Sequence, residues 1–470
     1  MRSMIQLVFA LLLSTLCTAQ KQGNIWYFGN HAGLSFNGIT PTATTGGQTY
    51  FPSPNQWNEG TSSICDSSGT LLFYSNGARL WNRDHEVTSN GMDLAGHPSS
   101  THAALFLPLP DSDSLFLLFT TDASENGFAL GLRYSVINSC LDGGRGGIIP
   151  TEKNILLQAN AAEKLSAVQH ANGTDYWVVG HERNNSRFWA YHISSSGVVD
   201  SVSTSIGPAD VLGWGGQITF SPDGGSLAYA YPSTWGSLSL YDFDNSTGIL
   251  SNARTHNNSI DDQSYGVGFS PDGRKLYVTT TNHGKLYQYD LAGSWTSAIS
   301  GRTLLAAENP DSWRDVKLGP DGRVYVSRTG RSYLSRIEQP NSAGAACQYV
   351  DQAIPLGGPI TSFGLPTHVA AYSYQNAKAD CLDRPIGLDE ATSDRKVYYE
   401  ISSRSIVVQE GMYGGVQLSL FDINGRLIIS RNHLSNNPTT VALPECAPGV
   451  YFFSLNSSNG YRQRGRILVE

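Results

Sequence analysis

Three segments of this chain are variants of one pattern. They read Ile218-Thr-Phe-Ser-Pro-Asp-Gly-Gly-Ser-Leu-Ala-Tyr-Ala, Val267-Gly-Phe-Ser-Pro-Asp-Gly-Arg-Lys-Leu-Tyr-Val-Thr and Val316-Lys-Leu-Gly-Pro-Asp-Gly-Arg-Val-Tyr-Val-Ser. They recur about every 50 residues, within the range of propeller repeats. In each, an alternating apolar strand meets Pro-Asp-Gly, and a second alternating strand follows. Pro presets φ, Asp bonds the local backbone and Gly accepts a positive φ. A third strand then ends in a tight turn, at Leu240 to Gly248 or Leu286 to Gly293, and a fourth completes a meander. One such sheet cannot bury both faces alone, whereas several ringed about an axis can.

Looser copies lie upstream. Thr61 to Gly91 turns at Asp66 to Gly69, His102 to about Gln158 turns at Asp111 to Ser114, and Leu165 to Gly207 turns at Asn172-Gly173. Ile25 to Phe28, Gly33 to Phe36 and Thr40 to Thr45 read as three strands lacking a first one, while Thr367 to Tyr374 reads as a first strand lacking the rest. Joined, the two ends make one more blade and close the ring, which removes its free edges. The expectation is an all-β chain with a seven-bladed β-propeller. Eight blades is the rival count, because the third copy is long.

The N-terminus reads as a secretory leader over residues 1–19. Arg2 precedes an apolar run from Ile5 to Leu16, and Cys17-Thr18-Ala19 sets up cleavage after Ala19. A lipidated Cys17 is the alternative, disfavoured by the bulky Leu16 before it. No other stretch approaches the 18 apolar residues that span a bilayer. Charged residues are only 15% of the chain, and the net charge is -8 with no basic run. Nucleic acid and anionic membranes, which select clustered Lys and Arg, are therefore excluded as expected partners. Without Cys17, five cysteines remain and no C-x-x-C pair. An exported chain permits disulfides, and Cys347 with Cys381 is a candidate bridge, although the sequence leaves connectivity open.

These repeats resemble the SPDG-type propellers of surface-layer and lactonase-like proteins. With Trp26-Tyr-Phe-Gly29, Leu80-Trp-Asn82 and His170-Ala-Asn-Gly-Thr-Asp-Tyr-Trp177, residues 24–375 resemble more closely the N-terminal propeller of surface proteins exported by the type IX secretion system. Residues 376–394 read as a linker. Residues 395–470 read as a small β-sandwich, with Asn424-Gly425 as a hairpin signal. This tail resembles the type IX sorting domain through Leu420-Phe-Asp-Ile-Asn-Gly-Arg-Leu427, Leu443 to Pro448, Gly449-Val-Tyr451 and the terminal Arg466-Ile-Leu-Val-Glu. The Asn-Pro dipeptide often found near the start of such domains is missing. The resemblance implies passage across the outer membrane by the type IX machinery, removal of the tail and attachment to the outer cell surface.

The sequence holds no G-x-S-x-G, H-E-x-x-H, P-loop or EF-hand motif. Asp242 and Asp244 faintly suggest a calcium loop, but the closing Glu is absent, so a plain hairpin is the better reading. In propellers, ligands gather where first strands begin and second strands end. That rule selects His102, Lys164, Tyr265, Arg314, Asp315 and His368 on one side, and His31, His181, Glu182 and His283 on the other. Two or three of these His with Glu182 or Asp315 could hold a divalent metal, calcium or zinc, and activate water against a lactone or ester. Eleven scattered His will also place some at an axis by chance. Tyr176, Trp177, Phe188 and Trp189 read as packing aromatics, and Trp214, Trp235 and Trp313 as loop candidates for sugar stacking. The leading reading is a surface-displayed propeller that binds a glycan or protein ligand. A lactonase-type metal hydrolase and a structural surface-layer component are the alternatives.

Overall fold

The computed structural model describes residues 20–50, 58–231, 237–257, 263–281, 284–308 and 313–374, and seven strands with their flanks between 397 and 469. The expected leader and linker lie outside the described residues. So do His283, the Asn424-Gly425 tip and the side chains of Trp235 and Trp313. The chain divides into two compact units, Met1–Asp383 and Arg384–Glu470.

The first unit is nearly all-β, with one short helix at Trp295–Ser300, and its described residues form seven successive antiparallel sheets. The first sheet holds Ile25–Phe28, Ala32–Ser35 and Thr42–Thr44. The second holds Ser62–Cys65, Leu71–Ser75 and Leu80–Asn82. The third runs from Ala104–Pro108 through Leu115–Thr121 to Leu132–Asn138, whose far edge receives both Gly147–Ile148 and Ile155–Gln158. The length that made the third repeat look oversized goes into this doubled edge. Sheets four to seven are four-stranded meanders beginning with Ala161–Gln169, Ile218–Phe220, Ser264–Phe269 and Trp313–Leu318.

The expected turns form, and their hydrogen bonds explain the motif. Ser221 Oγ donates to Asp223 at 2.5 Å and accepts from the Ser226 N–H at 2.9 Å, while Gly224 takes φ +73°. Ser270, Asp272 and Lys275 repeat the pattern around Gly273 at φ +70°.

Apolar side chains fill the spaces between adjacent sheets. Phe188, Tyr229 and Phe243 fill one such space, and Leu240, Val267 and Leu276 the next. The ring closes where Trp26 of the first sheet meets Tyr325 of the seventh, centroids 5.5 Å apart. Burying one such large side chain is worth about 1.5–3 kcal/mol.

One expectation needs correction. Thr367 to Tyr374 does not add to Ile25–Phe28 as a laddered strand. Residues 360–374 instead form a strap along the axis. Ile360 bridges Asn30, Pro366 lies parallel to Thr61, and Val369 lies parallel to Ala167. The Tyr372 hydroxyl donates to the Leu318 carbonyl at 2.6 Å, and the Tyr374 N–H to Gln20 at 2.6 Å. These partners belong to the first, second, fourth and seventh sheets and the chain start. Only the line where inner strands face one another is near them all. The sequence showed an extended segment but not which edge would receive it.

A second correction concerns the cysteines. Cys65 and Cys347 are buried free thiols, so Cys347 is not bridged to Cys381. Cys140 is disulfide-bonded.

In the second unit, Val397–Glu400, Ser405–Val408 and Thr439–Ala442 form one sheet. Val416–Phe421, Leu427–Leu434, Gly449–Ser457 and Arg462–Val469 form another. Ile406 and Val441 from the first pack with Leu418, Phe453 and Ile467 from the second, which makes a β-sandwich.

Candidate functional site

The inner strands start at one end of the axis and run into their Pro-Asp-Gly turns at the other. The strand-start end carries a buried polar cluster. Glu59 precedes the second sheet, Thr101 and His102 precede the third, Glu163 and Lys164 open the fourth, Tyr265 opens the sixth, and Arg314 and Asp315 open the seventh. All are at most 9% exposed.

Glu163 accepts from the Thr101 and Ser124 N–H groups at 3.1 and 3.0 Å, and its carboxylate lies 3.1 Å from the Thr101 hydroxyl. Glu59 lies 3.3 Å from that same hydroxyl and accepts from the Tyr265 hydroxyl at 2.6 Å. One threonine hydroxyl has one proton to give. The second carboxyl must bring its own proton, and burial with like charge supplies the cause. Burial, then the Glu163 charge, pushes the Glu59 carboxyl up to about 8. Burial raises Glu163 as well, opposed by Lys164. The Lys164 ammonium donates to the Gly215 carbonyl.

The sequence-selected residues divide between this cluster and its surroundings. His102 is fully buried, and burial followed by the Lys317 and Lys164 charges lowers its pKa well below the usual range. His181 is buried edge-on against Phe188, 4.4 Å between centroids, and burial lowers it to about 4. Glu182 faces outward and accepts from Arg187 and Trp189 at 3.3 and 3.4 Å. The Arg314 guanidinium lies over the Phe363 ring at 4.4 Å. Asp315 accepts from the Leu365 N–H of the strap at 2.7 Å. Trp26 stacks on His368, which is held neutral by burial. His31 is exposed, with Nδ1 2.7 Å from the Gly47 carbonyl.

Among the described residues, no three His, Cys, Asp or Glu side chains come together as a metal site. The donor set expected for calcium or zinc therefore does not fit the residues described. Asp242 is occupied by Arg254 and Asn252, as the hairpin reading expected. Tyr176, Trp177 and Phe188 are buried between sheets, and Trp214 is 44% exposed.

Glu59, Thr101 and Glu163 were not singled out from the sequence. Glu163 stands beside Lys164, which the strand-start rule did select, so the rule reached the right turn of chain. Glu59 lies ahead of an irregular repeat, where nothing marks its register.

The turn end holds a narrow cleft. It is lined by Ile218, Phe269, Val316, Lys317, Thr367 and His368, with strap backbone beyond.

No protein-family model matches this chain, and no curated protein does. Solved structures do. A periplasmic gluconolactonase of Pseudomonas aeruginosa matches at 14% identity and TM-score 0.35, covering 89% of this chain and 99% of that one. A putative 6-phosphogluconolactonase from Bacteroides uniformis matches at 12% identity and TM-score 0.34, covering 85% and 99%. A calcium-binding protein, regucalcin, from Agrobacterium tumefaciens matches at 16% identity and TM-score 0.35, covering 58% and 82%. Likenesses this distant carry nothing over to individual residues of this chain.

Proposed function

We propose that this chain is an exported propeller displayed on the outer surface of the cell, where it binds a glycan or protein ligand, and that the C-terminal sandwich is its export signal for the type IX machinery. The observation that carries binding over metal-dependent hydrolysis is the strand-start cluster. The Glu59 and Glu163 carboxyl groups are engaged by Thr101, Tyr265 and backbone N–H groups, one Asp315 oxygen is engaged by the Leu365 N–H, and among the described residues these groups do not converge with imidazoles on one point. Export is supported by the leader pattern of residues 1–19, the sorting motifs of the tail, the low charge and the disulfide at Cys140.

The test has two arms. Producing cells are treated with protease, comparing the full chain with one ending at Asp383. The full chain is expected to be cleaved from outside and the shortened one to be protected within the envelope. Equal protection of both overturns the export reading. In the second arm, the purified chain is melted with and without EDTA beside metal analysis. An unchanged melt is expected. One equivalent of calcium or zinc, lost with a lowered melt, would restore the lactonase-type hydrolase.

A further inference from the structure

The cleft at the turn end has walls of one kind and polar groups of another. Ile218, Phe269 and Val316 give it apolar sides. Lys317 is the one charged side chain lining it, and its nearest carboxylate, Asp315, is 3.9 Å away. That is the outer limit of an ion pair and beyond a hydrogen bond.

His368 also lines the cleft. The Val369 N–H donates to the Tyr374 hydroxyl at 3.4 Å, and that hydroxyl lies 3.0 Å from His368 Nδ1. The Tyr374 hydroxyl has its own proton to give, and where it gives that proton to Nδ1 the ring nitrogen accepts. A neutral imidazole then carries its own proton on Nε2. Burial, then the nearby Lys317 charge, keeps the ring neutral. Nε2, the donor in that arrangement, is buried and without a partner among the described residues. The Thr367 hydroxyl, 4% exposed, is unpartnered in the same sense. Two unspent buried polar groups beside an under-neutralised ammonium cost stability unless something uses them.

We infer that this cleft is an anion site, which takes a short aliphatic carboxylate between Lys317, His368 Nε2 and Thr367 with its carbon chain against the apolar walls. A carboxylate offers acceptors only, and Lys317 with Nε2–H offers donors only, so charge and hydrogen bonding agree. The site is separate from the Glu59 and Glu163 pair, and it does not depend on cell-surface display.

The experiment is titration of the purified full chain with acetate and with acetamide, at constant ionic strength set by chloride, read by calorimetry and by melting temperature. Saturable binding of acetate with a raised melt is expected, and none by acetamide. K317Q is expected to weaken acetate at least tenfold, and T367V to weaken it less. Equal binding of the amide, or full acetate affinity in both variants, overturns the anion site. So does the absence of saturable binding.

Discussion

Asp321 shows what one residue does when its neighbour changes. The first two turn motifs begin with Ser, whose hydroxyl closes the turn. The third begins with Gly319, and Asp321 is recruited instead by the Tyr325 hydroxyl at 2.8 Å and by Arg323 at 3.0 Å. The motif was legible in sequence because these bonds are local. The Glu59 and Glu163 pair was not, because its partners Thr101, Ser124 and Tyr265 come from three separate stretches of the chain. Its consequence is a pH dependence. An unfolded Glu59 titrates near 4.5, and the folded one near 8. Between those values the folded state holds the extra proton, so this stabilisation is complete in acid and is lost as pH rises through about 8. The buried His181 works in the other direction: its stabilisation is present above 6.5 and is lost as pH falls toward about 4. Above 6.5 the His181 contribution is complete, while the Glu59 contribution is still being lost. The melting temperature is expected to fall between pH 6.5 and 8.5, by about 1–3 °C for a unit this large. E59Q should flatten that fall. An equally steep fall in E59Q, measured by calorimetry, would show that Glu59 is not its source.

At the scale of the element, the strap repays comparison with its sequence. The sequence of Thr367 to Tyr374 reads as a strand, but Ala370–Tyr372 form a turn of 3-10 helix instead. The sequence could not reveal that Ala371 and Tyr372 take φ of +53° and +54°, since neither is a glycine and no motif announces the bend. Nor could it reveal the closeness of the fit. A Cβ on Gly364 would stand 2.0 Å from the Glu59 carbonyl oxygen, which is backbone and cannot swing aside. G364A is therefore expected to destabilise the propeller by about 1–3 kcal/mol, the usual cost of overpacking. Denaturant unfolding would measure this. A neutral substitution would mean that the strap is loosely held, and would weaken the account of the acidic cluster it covers.

For the whole molecule, the repeat and its period implied a ring, because no other arrangement hides both faces of so many small sheets. The polar stretch after Tyr374 reads as a linker, and the chain divides into two compact units, Met1–Asp383 and Arg384–Glu470. What the ring does with its ends was not readable, since closure depends on contacts between residues far apart in the chain. Gln20 meets Tyr374, and Ser62 meets Thr367. A chain ending at Asp383 is expected to melt cooperatively at the temperature of the first unit. One ending at Ser362 is expected to lose the cooperative transition. If the shorter chain melts normally, the strap is an ornament rather than a keystone.

The strap also sets an order of events in time. A chain leaves the ribosome from its N-terminus, and each meander can form once its own four strands are out. The strap cannot be laid along the axis until residue 374 has emerged, after all seven sheets. Closing so long a loop is slow, since distant contacts must wait for their entropy cost to be met. During that interval the protein is a string of half-covered sheets, threadable and exposed. Its passage from a flexible thread to a closed wheel is therefore governed by when its last axial residues arrive.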